Sequence, residues 1–320
     1  MSNVGPPPHR YPPPPSPALS DPQPAAKPPS QRGWRHLLYV LTRINVGLSP
    51  DELYEIDLLN RIRRNPHGSY QIGVIGLKGG VGRTAVTVAL GSALCQARGD
   101  GIVAVDADPH GGNLADRTGR QTPATIADVL AATRLTTYNE MRSYTSMNAS
   151  NLEVLSALEY SVARREFSDE EWRRLAGVVS HYYNIVLADC GAGLFGSAAR
   201  AVLSTVSALV IVASASVDGA RQAAVTLNWL RQNGYTGLLG RSCVVINQLV
   251  PGKPTVDVAD LVGQFERYVQ PGRVHILPWD RHIAAGTEIE YTALSDTFRR
   301  RILEVAAVLS DDFAKVAPTG

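Results

Sequence analysis

Cysteine is scarce, with three residues in 320 at Cys95, Cys190 and Cys243, each inside or beside an apolar run. Three scattered thiols make neither a disulfide framework nor a zinc site, and they suit a reducing compartment. Long apolar stretches are missing too. No run approaches the roughly 20 residues that a membrane-spanning helix needs, and the chain starts proline-rich rather than with an apolar leader. The expected location is therefore cytoplasmic. Net charge is small, at a formal +2: residues 1–68 carry eight Lys/Arg against five Asp/Glu, so that segment is +3 and the remainder −1. The larger part has no strong basic field, which argues against a nucleic-acid partner.

What the sequence does contain is a change of period at Gln71 to Gln96, QIGVIGLKGGVGRTAVTVALGSALCQ. Ile72, Val74 and Ile75 read as a buried parallel strand, Gly79, Gly80 and Gly82 free the backbone to curl, and Thr84 opens a helix carrying Val88, Leu90 and Leu94. Amides of such a curl and helix N-terminus converge on an anion. The strict pattern G-x-x-x-x-G-K-[ST] fails twice, with Leu77 at its first glycine and Arg83 at its lysine, while K-G-G-V-G-[KR]-T fits Lys78 to Thr84. A dinucleotide-binding oxidoreductase is a poor alternative, because the loop has no G-x-G-x-x-G and leaves Lys78 and Thr84 without a role.

Ahead of this loop, residues 1–30 hold twelve of the 21 prolines and are expected to form a disordered tail (1–31), either a spacer or a docking ligand for a proline-reading partner. Residues 32–68 form an expected helical extension. Within it RGWRHLLYVLTRIN sets Trp34, Leu37, Leu38, Leu41 and Ile44 on one face, flanked by Arg35 and Arg43, a basic amphipathic helix suited to packing on the body or to peripheral membrane contact. Ser49, Pro50 and Glu52 make a capping box that predicts a second helix to about Arg64. The main domain is expected over 69–320. Strands are predicted at Gly101–Asp106, Leu152–Leu155, Asn184–Asp189, Ala208–Ser214, Ser242–Asn247 and Val274–Leu277, alternating with helices. These include Pro123–Ala132, one opened by the Ser168/Glu171 capping box, and a C-terminal one carrying Leu294, Phe298, Ile302, Val305, Leu309 and Phe313. The alternation argues an α/β fold with a doubly wound, mostly parallel sheet.

Candidate site residues follow from phosphoryl-transfer chemistry, which needs charge neutralisation and a positioned water. Gly79, Gly80, Val81, Gly82, Arg83, Thr84 and Ala85 would cradle the phosphates of ATP, and the Thr84 hydroxyl would ligate Mg²⁺. Asp106 and Asp108 end the second strand; Asp189 ends IVLAD and is followed by CGAG, where Gly191 and Gly193 leave a turn free to move. Each strand-end aspartate could instead cap a loop.

Lys78 to Thr84 resembles the deviant P-loop of the ParA/MinD ATPases, and the resemblance assigns further roles. Lys78 crosses a nucleotide-dependent homodimer to the partner's nucleotide, Asp108 orients the attacking water, and Asp106 and Asp189 support the metal shell. Asn247 and Pro278 grip the adenine. Arg83 departs from the lysine of strict P-loops: a wide planar guanidinium binds phosphate well but crowds the in-line geometry, so turnover is expected below the about 1–100 s⁻¹ of kinases. Together GWRHLLYVLTRINVGLSPDELYEIDLLNRIRRNPHGSYQI, DADPHGGNLADRTGRQTPATIADVL, NIVLADCGAG and ILPWDRHIAAGTEI resemble the MinD-like ATPases encoded with mycobacterial ESX (type VII) secretion systems, of the EspI type. That likeness implies ESX secretion components as partners. Rival expectations are a positioning ATPase acting on DNA or membrane, against which the weak charge and the acidic Asp311/Asp312 end count, and a nucleotide-sensing scaffold that does not hydrolyse.

Overall fold

A computed structural model describes residues 28–30, 33–108, 112–157, 168–192, 196–254 and 256–315. The proline-rich tail therefore lies almost wholly outside the described residues, as does Gly193. The chain divides into two compact units, Met1–Leu53 and Tyr54–Gly320.

In the smaller unit, helix α1 spans Gly33–Thr42, with Leu37, Leu41 and Ile44 exposed to solvent. The predicted capping box forms: the Glu52 N–H donates to Ser49 Oγ at 3.2 Å and the Ser49 N–H to Glu52 Oε2 at 2.8 Å. It opens helix α2, Pro50–Ile62, at the expected proline. Leu58 and Ile62, in the second half of α2, are buried in the main core, so the larger unit begins ahead of the boundary expected at Ser69.

The larger unit is built on an eight-stranded sheet ordered β3-β4-β2-β5-β1-β6-β7-β8. The strands are β1 (Tyr70–Gly76), β2 (Ile102–Ala107), β3 (Ser146–Met147), β4 (Glu153–Leu155), β5 (Ile185–Ala192), β6 (Ala208–Ser214), β7 (Cys243–Asn247) and β8 (Val274–Leu277). All pairings are parallel except the short edge strand β3 against β4. Consecutive residues feed opposite faces: Ile185 and Leu187 join one apolar cluster, Val186 and Ala188 the other, which is why the strands read as unbroken apolar runs. On the first face lie α3 (Arg83–Arg98) and α12 (Asp296–Ser310), which contributes Phe298, Ile302, Val305 and Leu309. The other face carries α4 (Ile126–Ala131), α6 (Asp169–Tyr182), α7 (Ser197–Thr205), α8 (Val217–Gln232), α9 (Thr236–Leu239) and α10 (Val258–Phe265). Short helices α5 (Tyr138–Arg142) and α11 (Arg281–Ala284) complete the set among the described residues.

Helix α6 opens on its predicted box, with the Glu171 N–H on Ser168 Oγ at 3.1 Å. Topology fixes where a ligand can sit. From β1 the sheet grows outward both ways, towards β5 and towards β6, and the crevice of such a sheet opens at the carboxyl ends of the strands beside that point.

Candidate functional site

The turn after β1 carries the site. Gly80 (φ 77°) and Gly82 (φ 90°) are left-handed, a conformation that costs other residues strain, and Gly82 is also the N-cap of α3. A Cβ on Gly79 or Gly80 would meet nothing within 4 Å, so the curl stands open, while one on Gly82 would strike the Asn247 amide. Helix α3 begins at Arg83, one residue ahead of the expected Thr84. Above the curl lies a cavity of about 520 Å³, lined by Gly80, Gly82, Arg83, Thr84 and Ala85 from the loop and α3, Asp108 just past β2, Asp189 within β5, Asn247 at the end of β7 and Pro278 just past β8. That volume suits a nucleotide-sized ligand. Lys78 and Gly79 are exposed and Val81 and Asp106 are buried, and none of the four lines the cavity.

The aspartates converge because of strand register. Asp106 on β2 pairs across with Asp189 on β5, placing two carboxylates side by side on neighbouring strands. Both are almost completely buried. Burial pushes the Asp106 carboxyl above the usual range, the Asp189 charge adds to it, and hydrogen bonds from the backbone N–H groups of Asp108 (3.2 Å) and Leu114 (3.2 Å) oppose it. Burial also raises Asp189, opposed by hydroxyl bonds from Thr84 and from Thr87, the latter at 3.0 Å. Two buried carboxylates that resist ionisation beside a threonine hydroxyl are the donor set of a hard divalent cation, and they fit Mg²⁺. Among the described residues no group of three His, Cys, Asp or Glu side chains that could hold a metal ion occurs.

Glycines mark where these carboxylates sit. A Cβ on Gly112 would fall on the Asp106 carboxylate, and one on Gly191 on that of Asp108. Gly191 is not in a turn as expected: β5 continues to Ala192, and the glycine instead makes room for Asp108.

Two other residues have partners that the sequence does not announce. Arg83 folds back on its own loop, Nη1 donating to the carbonyls of Gly76 (2.9 Å) and Lys78 (2.7 Å). The Asn247 side-chain amide donates to the Val81 carbonyl at 2.9 Å, so this cavity-lining residue also braces the glycine loop. Lys78 Nζ lies 3.9 Å from Asp218 Oδ2 at the start of α8, with both side chains more than half exposed. Sequence reasoning missed Asn113 and Arg117 after β2, and Gln248, Trp279 and Ile283 after β7 and β8, all of which line the cavity. The one available signal was Trp279 next to Pro278.

Comparison with known proteins agrees with this fold. A family model described as an AAA domain matches residues 69–236. The ESX-1 secretion-associated protein EspI of Mycobacterium tuberculosis is 62% identical over 286 residues, covering 89% of this chain and 43% of that protein, with the same figures in strains CDC 1551 and H37Rv. The chain thus spans less than half the length of the curated relatives it matches. Among solved structures, a ParA family ATPase from Chlorobium tepidum matches with a TM-score of 0.62 at 18% identity, covering 75% of this chain and 98% of that one. The septum site-determining protein MinD from Pyrococcus horikoshii, complexed with Mg-ADP, matches with a TM-score of 0.58 at 18% identity over 74% of this chain and 94% of that one. At those identities the likeness is one of fold.

Proposed function

Since the chain belongs to the AAA-domain family, with a MinD/ParA-like P-loop fold, we propose that it binds ATP with Mg²⁺ in the cavity above Lys78–Thr84 and acts as a nucleotide-dependent component of ESX type VII secretion. The single observation that supports nucleotide binding best is the convergence of an open, left-handed glycine curl with two buried, mutually repelling aspartates on adjacent strands.

Loop amides from Gly79 to Ala85 would hold the phosphates, with the α3 N-terminus adding its dipole. Thr84, Asp106 and Asp189 would hold Mg²⁺, which supplies charge neutralisation on the phosphate oxygens. Asp108, at the cavity wall, would accept the hydrogen bond of the attacking water. Pro278 and Asn247 border the adenine end, Asn247 keeping its amide on Val81. Lys78, whose side chain is more than half exposed, would reach a second copy's nucleotide, and ATP-dependent dimerisation would be the means by which nucleotide state is read. The secretion role rests on the identity to EspI alone.

A titration with ATP and ADP, with and without Mg²⁺, read alongside solution mass, tests both parts. Mg²⁺-dependent ATP binding with a doubling of mass is the expected result. No binding at millimolar ATP would remove the nucleotide site, and a monomer saturated with ATP would remove the Lys78 crossing.

A second mode, nucleotide sensing without hydrolysis, is favoured by one observation: Arg83 spends Nη1 on the Gly76 and Lys78 carbonyls. A turnover assay compares the chain with Arg83→Lys. Faster turnover in the variant supports sensing without efficient hydrolysis; equal rates remove the concern.

A further inference from the structure

Arg117 is a buried cation that the cavity leaves uncompensated. It sits in the turn after β2, where its N–H donates to the Asn113 carbonyl at 3.0 Å and its carbonyl accepts the Ile289 N–H at 2.8 Å. Leu114 and Ala115 anchor that turn in the core. The side chain is 9% exposed and borders the same cavity as Arg83, Thr84, Asp108 and Asp189. Nη2 donates to the Ile283 carbonyl on α11 at 3.2 Å, and Nη1 packs beside the left-handed turn at Gly286.

Among the described residues no carboxylate lies within ion-pairing distance of this guanidinium, and burial alone lowers its pKa with no opposing charge. Elsewhere in the larger unit the buried arginines are paired: Arg273 with Asp312 and Arg98 with Asp100, each at 2.6 Å. A guanidinium stays protonated at any ordinary pH, so one buried without a counter-ion carries a desolvation cost that an arriving anion would offset.

We propose that Arg117 is a phosphate-binding residue of the nucleotide site, and that the polyphosphate of the bound nucleotide is its counter-ion. The proposal rests on the nucleotide site argued above and adds to it a cation from outside the glycine loop. A planar fork of donors matches phosphate oxygens, and the bond to Ile283 couples phosphate capture to the segment after β8 that also carries Pro278 and Trp279. Arg117 would thereby tie both rims of the cavity to one ligand.

The test measures ATP, ADP and adenosine affinity, the last by displacement of labelled ATP, for the unaltered chain, Arg117→Gln and Arg117→Lys. The glutamine amide can keep the Ile283 bond while losing the charge, and lysine keeps the charge. Loss of one charge-assisted contact predicts about ten- to a hundredfold weaker ATP binding in Arg117→Gln, no change for adenosine, and substantial recovery in Arg117→Lys. ATP affinity within twofold of the unaltered chain, or an equal loss for ATP and adenosine, overturns the assignment and leaves Arg117 a packing residue. If the unaltered chain binds none of the three, the nucleotide site itself falls, a result distinct from either. If Arg117→Gln does not fold, Arg117→Met takes its place and is read in the same way: a loss confined to ATP and ADP supports the contact, and unchanged ATP affinity or an equal loss for adenosine overturns it.

Discussion

The two ends of the sheet handle buried charge in opposite ways. At the amino ends of the strands, Arg273 immediately before β8 pairs with Asp312 at 2.6 Å with both side chains almost inaccessible, and Arg61 and Arg64 share Asp311. Cation and anion there neutralise each other within the chain. At the carboxyl ends, Asp106 and Asp189 face each other with only the Arg83 charge favouring Asp189, and among the described residues Arg117 pairs with no carboxylate. Residues of the same types at similar burial thus support packing at one end and remain frustrated at the other. Charges left uncompensated in a fold able to pair them elsewhere mark the place where a ligand completes the structure.

The largest expected effect breaks the paired end. Asp312→Ala strands the Arg273 guanidinium and should lower stability by about 3–5 kcal/mol in urea melts. Replacing both, as Arg273→Met with Asp312→Leu, should recover most of that loss, because no charge is then left buried. If the double variant is as unstable as the single, the pair is not self-compensating and the contrast between the ends weakens.

Next comes a pH effect from the same end. Burial lowers the His275 pKa to about 4, with the positive charges of Arg301, Arg273 and Arg61 adding to it. The ring is neutral when folded and takes a proton near pH 6.5 when unfolded, so its contribution is fully present above about pH 6.5 and is lost as pH falls towards 4. The loss is at most about 3 kcal/mol. Melts at neutral and acid pH should show this slope, and His275→Leu should flatten it over that window.

Asp106→Asn sharpens the other side. Removing one of two mutually repelling buried carboxylates relieves their repulsion but turns an amide NH2 towards the backbone N–H of Asp108 or Leu114, so the free protein should lose no more than about 1–3 kcal/mol, while Mg²⁺-dependent ATP binding weakens about 10–100-fold. A variant that is destabilised with unchanged affinity would make Asp106 a packing residue. The smallest effect belongs to Trp279: alanine there should cost about 0.5–1.5 kcal/mol of nucleotide affinity if the indole contacts the base. Its fluorescence in the unaltered chain should respond to ATP.

Much of this was legible in advance. Strands β6 and β8 lie at their predicted residues, β6 because a seven-residue apolar run reads as a buried strand and β8 because Gly272 and Pro278 bracket a short one. Capping boxes at Ser49 and Ser168 were read from two residues each. By contrast β3, α5, α9 and α11 are too short to show a period, and β5 runs past its predicted end because Gly191 looks like a turn but is there to admit Asp108. No local pattern signals that the Asn247 amide reaches Val81, 166 positions away.

The glycine curl from Lys78 to Thr84 and the presence of Asp106 and Asp189 on apolar strands were settled by the sequence alone, because local backbone preference and the period of burial act between near neighbours. Which carboxylates face each other, where the Arg83 and Asn247 donors go and that Arg117 borders the loop's cavity were decided only when β2, β5, β7 and the segment after β8 came together. Register and long-range packing set those distances, and no run of adjacent residues encodes them.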